Sequence, residues 1–191
     1  MSYFAHYREA IERALESTTV TDLSGRILTT TDGLDQITAV AQQLRTNAGA
    51  MYFCGNGASS AMAGHMALDW LKAGEMKALS FNDSAVLTAV ANDTGYENVF
   101  SLPISRLGRV DDMLVTISSS GNSPNILAAI PVARERGMRV VTFSGLKPDN
   151  RSRLLGDYNF YVPCKTYGIA ECCHQILLHA WLDQFLGLPT D

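Results

Sequence analysis

Two short loops in this sequence combine glycine, asparagine and serine in a pattern that suits the binding of an anion. They read CGNGASS at residues 54–60 and SSSGNS at residues 118–123. Glycine allows tight turns and the close approach of a ligand, and serine hydroxyls and free backbone N–H groups donate hydrogen bonds to oxyanions. The second loop has more serines than one helix cap requires. It therefore predicts a site for a phosphate-like group, with ordinary capping and turn formation as the alternative.

Each loop joins a predicted strand to a predicted helix. Strands are predicted over residues 50–54, 77–81, 112–118, 138–144 and 158–163. Helices are predicted over residues 3–17, 34–47, 59–73, 84–93, 123–137 and 168–187. Strands that alternate with helices indicate βαβ units, in which ligands bind at the carboxyl ends of parallel strands. We therefore expect an α/β fold, a three-layer αβα sandwich with a five-stranded parallel sheet preceded by N-terminal helices.

Composition and charge exclude several classes of function. The 191 residues are 47% hydrophobic and 18% charged, which is typical of a globular protein, and the net charge of −4 comes without a basic cluster. We expect no nucleic-acid partner. Apolar runs are too short to span a bilayer and the N-terminus has no signal-peptide pattern, so we expect no membrane association and a cytoplasmic location. Neither loop fits the nucleotide-binding glycine motifs.

Five segments in order resemble the sugar isomerase (SIS) superfamily, and within it the phosphoheptose isomerase family. They are FCGNGASSAMAGHMALD, AVANDTGYENVF, LVTISSSGNSPNILAAI, GMRVVTFSG and ECCHQILLH. The resemblance implies a flavodoxin-like SIS domain over residues 49–191, preceded by a helical region for oligomerisation over residues 1–48, in one compact domain overall. It also implies an enzyme that converts sedoheptulose 7-phosphate to D-glycero-D-manno-heptose 7-phosphate through an enediol.

The resemblance also implies which residues contact the substrate. The sugar phosphate is expected against the first loop, the sugar hydroxyls against the AND segment and against Glu171, and the phosphate in the serine loop. The expected substrate-binding residues are Asn56, Gly57, Ala58, Ser59, Asn92, Asp93, Ser118, Ser119, Ser120, Ser123 and Glu171.

Four residues fall where the family binds zinc: His65, Asp69, Glu171 and His179. Spacing supports this set, because residues four apart share a helix face and residues eight apart differ by only about 80° of rotation. Imidazoles with carboxylates suit a divalent metal such as Zn²⁺. We expect one zinc ion per subunit, with another divalent metal as the alternative. Asp69 is the expected catalytic base and His179 its acid/base partner. The alternatives to a metal site are purely structural: a hydrogen-bonded pair of His65 with Asp69, and a core histidine at His179.

Two positions depart from the family pattern, and they leave the substrate open. The family has glutamate at the position of Asp69 and glutamine at the position of Glu171. An isomerase of another ketose phosphate, or a non-catalytic SIS protein that binds phosphosugars or assembles with partners, therefore stays as an alternative. An apolar stripe on the first helix predicts a homo-oligomer, a tetramer as in the family. The stripe comprises Tyr3, Phe4, Tyr7, Ala10, Ile11, Ala14 and Leu15.

Overall fold

The computed structural model describes residues 2–190, in which seven strands form one sheet. The strands are β1 (Thr19–Asp22), β2 (Ile27–Leu28), β3 (Ala50–Gly55), β4 (Lys77–Ser80), β5 (Met113–Ser118), β6 (Arg139–Gly145) and β7 (Tyr158–Val162). The helices are α1 (Tyr3–Glu16), α2 (Thr30–Thr46), α3 (Ala58–Lys72), α4 (Ser84–Thr94), α5 (Ser101–Leu107), α6 (Pro124–Glu135) and α7 (Tyr167–Leu186). Two short 3₁₀ helices lie at Tyr96–Asn98 and Arg151–Leu154.

The five predicted strands are present and mutually parallel, in the order β7-β6-β5-β3-β4. The predicted strand number of five is nevertheless wrong, because β1 pairs antiparallel with β7 and β2 pairs antiparallel with β1. The turn between β1 and β2 is stabilised by Asp22, whose carboxylate accepts hydrogen bonds from the backbone N–H groups of Ser24 and Arg26. These added strands have four and two residues, too short to show a period-two pattern in the sequence.

Hydrophobic residues pack on both faces of the sheet, which confirms the three-layer arrangement. Every residue of β3 and of β5 is buried, as expected for parallel strands that are covered on both sides. Phe53 and Val115 belong to a buried cluster with residues of α1, α2, α3 and α7, whereas Tyr52 and Leu114 belong to a second cluster with residues of α4, α5 and α6. Within residues 2–190, no helix has the length and hydrophobicity that crossing a membrane requires.

Aromatic side chains hold α3 against α7. The ring centroids of Trp70 and Trp181 are 4.9 Å apart, those of Trp70 and Phe185 are 4.7 Å apart, and both tryptophans are fully buried. Buried aromatic pairs of this kind contribute packing energy beyond the area that they bury. The two helices that carry His65, Asp69 and His179 are therefore fixed relative to each other.

His174 makes the fold sensitive to acid. Its imidazole is fully buried on α7, its Nε2 lies 3.0 Å from the Ser144 carbonyl oxygen, and burial lowers its pKa from 6.5 to about 4. As pH falls through this window, the unfolded chain gains a proton on the imidazole and the folded chain does not. We expect this residue to remove about 1.4 kcal/mol of folding free energy per pH unit between those two values.

Urea unfolding of the parent and of His174→Gln across pH 4–7 measures this contribution. The variant should show a shallower dependence of the unfolding free energy on pH, whatever its stability at neutral pH. Parallel curves for the two proteins would contradict the assignment.

Candidate active site

The serine loop lies at the carboxyl end of β5, where Ser118 and Ser119 are buried. Ser123 is the N-cap residue of α6 and is followed by Pro124 at the first helical position. Its hydroxyl lies 3.3 Å from that of Ser118 instead of capping the helix. The Ser119 hydroxyl is buried and, within residues 2–190, has no hydrogen-bond partner. The Ser118–Ser123 pair therefore uses one of its two hydroxyl hydrogens, and the Ser119 hydroxyl uses none. A buried unpaired hydroxyl is costly unless something binds it.

A neighbouring segment holds the serine loop in place. Gly121 has a φ of +61°, and a side chain there would collide with the Asn150 amide. The Ser152 N–H donates to the Gly121 carbonyl oxygen at 2.9 Å, and the Arg151 N–H donates to the Asn122 side-chain oxygen at 3.0 Å. A loop fixed in this way presents its donors without a further cost of ordering when a ligand binds.

The first loop meets the serine loop across adjacent strands, and together they enclose a pocket of about 140 Å³. Gly57 turns the chain into α3 with a φ of +57°, and the following Ala58 is exposed at the first turn of that helix. The pocket is lined by Asn56, Ser59, Ile117, Ser118, Ser119, Ser120, Ser123, Tyr167 and Glu171. We call it the serine pocket. It contains six of the residues expected at the sugar phosphate, together with Glu171.

The serine pocket has an unusual charge balance for an anion site. Among the described residues, its lining includes neither lysine nor arginine, and the Glu171 carboxylate is the charged group in it. Attraction for an anion must therefore come from hydroxyl and amide donors and from the N-termini of α3 and α6. Asn92 and Asp93 are exposed near the end of α4 and are not among the described lining residues. The Asn92 side-chain amide donates a hydrogen bond of 2.8 Å to the Asp93 carboxylate.

The second feature is a cluster of His65, Asp69 and His179, whose ligand atoms all lie within 4.8 Å of one another. The His65 Nε2 lies 3.2 Å from the Asp69 Oδ2, and the ring centroids of His65 and His179 are 5.3 Å apart. Two imidazole nitrogens and one carboxylate oxygen form the donor set of catalytic zinc sites, in which a fourth position stays open. The residues present therefore fit a zinc ion, and we call them the His/Asp/His cluster.

Glu171 lies at the serine pocket, and within residues 2–190 its carboxylate is not among the ligand atoms that converge in the His/Asp/His cluster. Eight residues separate it from His179, which corresponds to about 12 Å of rise along α7 and about 80° of rotation. One helix thus connects the serine pocket with the His/Asp/His cluster.

Comparison with known proteins shows the family. The SIS domain family model matches residues 6–145. The phosphoheptose isomerase of Neisseria meningitidis is 32% identical over 187 residues, which cover 94% of this chain and 90% of the relative. The chain belongs to the phosphoheptose isomerase family of SIS-domain proteins. The family membership predicted from the sequence is therefore confirmed.

Other phosphoheptose isomerases agree with this membership. That of Aromatoleum aromaticum is 38% identical over 145 residues, which cover 72% of this chain and 73% of the relative. The structure of phosphoheptose isomerase from Neisseria gonorrhoeae matches with a TM-score of 0.80 and 29% identity, and the match covers 97% of both chains. A phosphoheptose isomerase structure from Francisella tularensis shares the fold, with a TM-score of 0.79 and 23% identity.

Three residues at the candidate site of this chain were not predicted from its sequence. Tyr167 lines the serine pocket, and Asn125 and Tyr96 bond to the side chain of Asn56. Asn125 directly follows the Ser-Pro pair at the start of α6, so an amide in that first turn was a visible signal. Tyr96 and Tyr167 are each the first residue of a helix, and no sequence pattern around them indicates ligand binding.

Proposed function

We propose that this protein is an aldose–ketose isomerase that converts sedoheptulose 7-phosphate to D-glycero-D-manno-heptose 7-phosphate. The observation that carries the proposal is the position of two sites on one helix, with Glu171 at the serine pocket and His179 in the His/Asp/His cluster. Their separation of about 12 Å along α7 suits a substrate whose phosphate lies at the opposite end of the carbon chain from its carbonyl. The relatedness to phosphoheptose isomerases supports the same substrate.

In the proposed reaction, a proton moves between C1 and C2 through an enediol, which requires a base and an acid in reach of adjacent atoms. Asp69 takes the proton from carbon, and the His65 Nε2, 3.2 Å from the Asp69 Oδ2, lies close enough to orient the carboxylate. His179 exchanges a proton with the carbonyl oxygen. A zinc ion would be held by His65, Asp69 and His179 and when bound would supply Lewis-acid stabilisation. Glu171 lines the serine pocket, about two helical turns from His179, and is not proposed as a ligand.

Binding energy at the serine pocket orients the reacting end of the substrate. The hydroxyls of the serine loop donate to the phosphate, and Asn56 and Ser59 contribute from the first loop. Gly57 and Ala58 bring the backbone close, and Asn92 and Asp93 are proposed to bind the sugar hydroxyls. Fixing the far end of a substrate converts binding energy into correct geometry for proton transfer.

The unpaired hydroxyl of Ser119 gives a test of the phosphate role. Because this hydroxyl has no partner among the described residues, Ser119→Ala should leave the unfolding free energy unchanged or slightly higher. Phosphate-ester affinity should fall by about 1.5–3 kcal/mol, the contribution of a hydrogen bond to a charged group. Calorimetric titration and thermal unfolding measure the two quantities. Thr116→Val, which removes another buried and unpaired hydroxyl outside the lining, is the matched control and should keep the parent affinity. Equal affinity of Ser119→Ala and parent would contradict the role.

We further propose a homotetramer in which residues 1–48 contribute to assembly. Tyr3 and Phe4 are 84% and 75% exposed, and a groove of about 1020 Å³ between α1, α2 and α7 reaches His179. Leu68, Leu71 and Ile176 also expose apolar surface on the helices that carry the His/Asp/His cluster. Apolar area of this extent is typical of an interface. Light scattering should give four times the mass of one chain at micromolar concentration, and a single-chain mass would contradict the proposal.

The function itself is tested by incubation of the purified protein with a panel of ketose phosphates, with and without added zinc, followed by NMR. We expect sedoheptulose 7-phosphate to be converted. Conversion of a different ketose phosphate would assign the departures at Asp69 and Glu171 to another substrate. Binding without conversion of any member would favour the non-catalytic alternative. A cytoplasmic location stays a prediction.

A further inference from the structure

A pair of asparagine side chains cross-links the first loop and the serine loop. The Asn56 Nδ2 donates to the Asn125 Oδ1 at 2.8 Å, and the Asn125 Nδ2 donates to the Asn56 Oδ1 at 2.9 Å. Asn125 is only 2% exposed, on the first turn of α6, whereas Asn56 lines the serine pocket. The two amides thus form a reciprocal pair between a buried position and the ligand site.

The backbone fixes which way round this pair lies. The Ile126 N–H donates to the Asn125 side chain at 3.0 Å, and because a backbone N–H can only donate, the atom that it meets must be the amide oxygen. The Asn56 atom that faces this oxygen must then be the NH₂ group. It follows that the Asn56 oxygen faces the Asn125 NH₂ group, and that the Tyr96 hydroxyl, 3.2 Å from this oxygen, donates to it.

The hydrogen bonds of the Asn56 side chain leave it with a single unused group, one N–H donor. Its oxygen has two lone pairs and accepts from Asn125 and from Tyr96, so it is fully used. Its nitrogen has two hydrogens, one of which goes to Asn125. We propose that Asn125 is a positioning residue that presents the remaining N–H of Asn56 to an oxygen of the phosphate group, with Tyr96 in a supporting role. This inference rests on the proposed binding of a phosphate ester in the serine pocket.

Orientation matters here because the serine pocket is lined without lysine or arginine among the described residues. An amide that is free to rotate by half a turn presents either a donor or an acceptor, and an acceptor repels a phosphate oxygen. Holding the donor in place before binding avoids both the repulsion and the cost of reorientation. The same logic predicts that Asn125 affects phosphate affinity only while Asn56 is present.

A double-mutant cycle with inorganic phosphate as the probe tests this dependence. Calorimetry would give the Kd for the parent, Asn56→Ala, Asn125→Leu and the double variant. We expect Asn56→Ala to weaken phosphate binding about tenfold, because it removes the donor to a charged group, and Asn125→Leu about fivefold, because it leaves that donor without a fixed orientation. The double variant should bind no more weakly than Asn56→Ala alone. An equal loss from Asn125→Leu in both backgrounds, or no loss in the parent background, would overturn the inference.

Tyr96→Phe provides a second route that does not depend on a buried position, because Tyr96 is 57% exposed. We expect about a twofold weakening in the parent and none in the Asn56→Ala background. Two results would count against the inference, even where Asn125→Leu fails to fold. One is a loss of phosphate affinity that persists in the Asn56→Ala background, and the other is no loss of affinity in the parent background.

Thr18→Val is the control for general destabilisation. Thr18 is buried, and its hydroxyl donates to the Ala14 carbonyl oxygen at 3.0 Å, away from the pocket lining. This variant should lower the unfolding free energy and keep the parent Kd for phosphate. If it weakens phosphate binding as much as Asn125→Leu does, a positioning role is ruled out.

Turnover of sedoheptulose 7-phosphate by the parent, measured separately, distinguishes this inference from the proposed function. A non-additive cycle in a protein without isomerase activity would sustain the inference and refute the proposed function. Isomerase activity with independent losses would refute the inference alone. A parent that does not bind phosphate at all would overturn the inference.

Discussion

Replacement of Asp69 by asparagine is expected to lower turnover of sedoheptulose 7-phosphate by at least about 100-fold, while the substrate still binds. Asparagine keeps the size of the side chain but cannot accept the proton, and positioned general bases contribute on the order of 10²–10⁴-fold to rate. The serine pocket, which is proposed to provide phosphate affinity, is unchanged by this substitution. Steady-state kinetics and calorimetric titration of the substrate measure the two effects separately.

Asp22→Asn is the matched control for this experiment. The side chain of Asp22 is 25% exposed, against 28% for Asp69, and each carboxylate lies near a basic side chain four residues away on the chain. Asp22 belongs to the β1–β2 turn, so its variant should keep the turnover of the parent. If Asp69→Asn turned over as fast as the parent, the isomerase mechanism would be wrong and a binding protein would become the better interpretation.

Asp69→Glu then separates two explanations for the departure from the family pattern. If the aspartate merely replaces the glutamate without changing the substrate, the longer side chain should preserve or raise turnover of sedoheptulose 7-phosphate. If the shorter side chain matches a different ketose phosphate, the same change should shift the ratio of kcat/KM values between substrates. A substrate panel measured with both proteins decides between them.

His179→Gln is expected to weaken zinc binding strongly and to abolish turnover. An amide oxygen is a poorer ligand than imidazole for zinc, and loss of groups that merely support a ligand already weakens metal affinity about 10–100-fold. Removing one of the three convergent donors should therefore weaken zinc affinity by more than about 100-fold. Zinc titration of the metal-free protein measures the affinity, and kinetics in excess zinc measure the turnover.

The chain offers His6 as the control for this second substitution. His6 is exposed on α1 and is not among the residues whose ligand atoms converge, within the part of the chain that the structure describes. His6→Gln should keep the zinc affinity of the parent. Retention of parental zinc affinity by His179→Gln would show that the metal is held elsewhere.

The core of the fold could be predicted because its strands are marked by composition. β3 and β5 are continuous apolar runs that end in glycine- or serine-rich loops, and those signals are local in the sequence. β1 and β2 have no such signal, since each contributes one or two buried side chains and their pairing depends on β7. An edge strand of this kind forms because a partner is available, and the identity of that partner is not encoded nearby.

The candidate site divides in the same way. The serine loop and the spacing of His65 and Asp69 are local patterns. Six of the residues expected at the sugar phosphate meet in the serine pocket, and three of the four expected metal ligands meet in the His/Asp/His cluster. The bond between Asn56 and Asn125 joins residues 69 positions apart, so only the three-dimensional fold reveals it. Helical periodicity predicts the angle between Glu171 and His179 around α7, but it does not predict that Glu171 lines the serine pocket.

The pairing of β1 with β7 has a consequence for biosynthesis. The Asn159 side chain donates to the Thr21 carbonyl oxygen across 138 positions of sequence, so β1 leaves the ribosome long before its partner β7. Contacts between such distant residues slow folding, because a long loop must close before they form. His179 lies on the last helix, which must dock against α3 before it meets His65 and Asp69. A nascent chain therefore cannot assemble the His/Asp/His cluster until its C-terminal helix has emerged and docked.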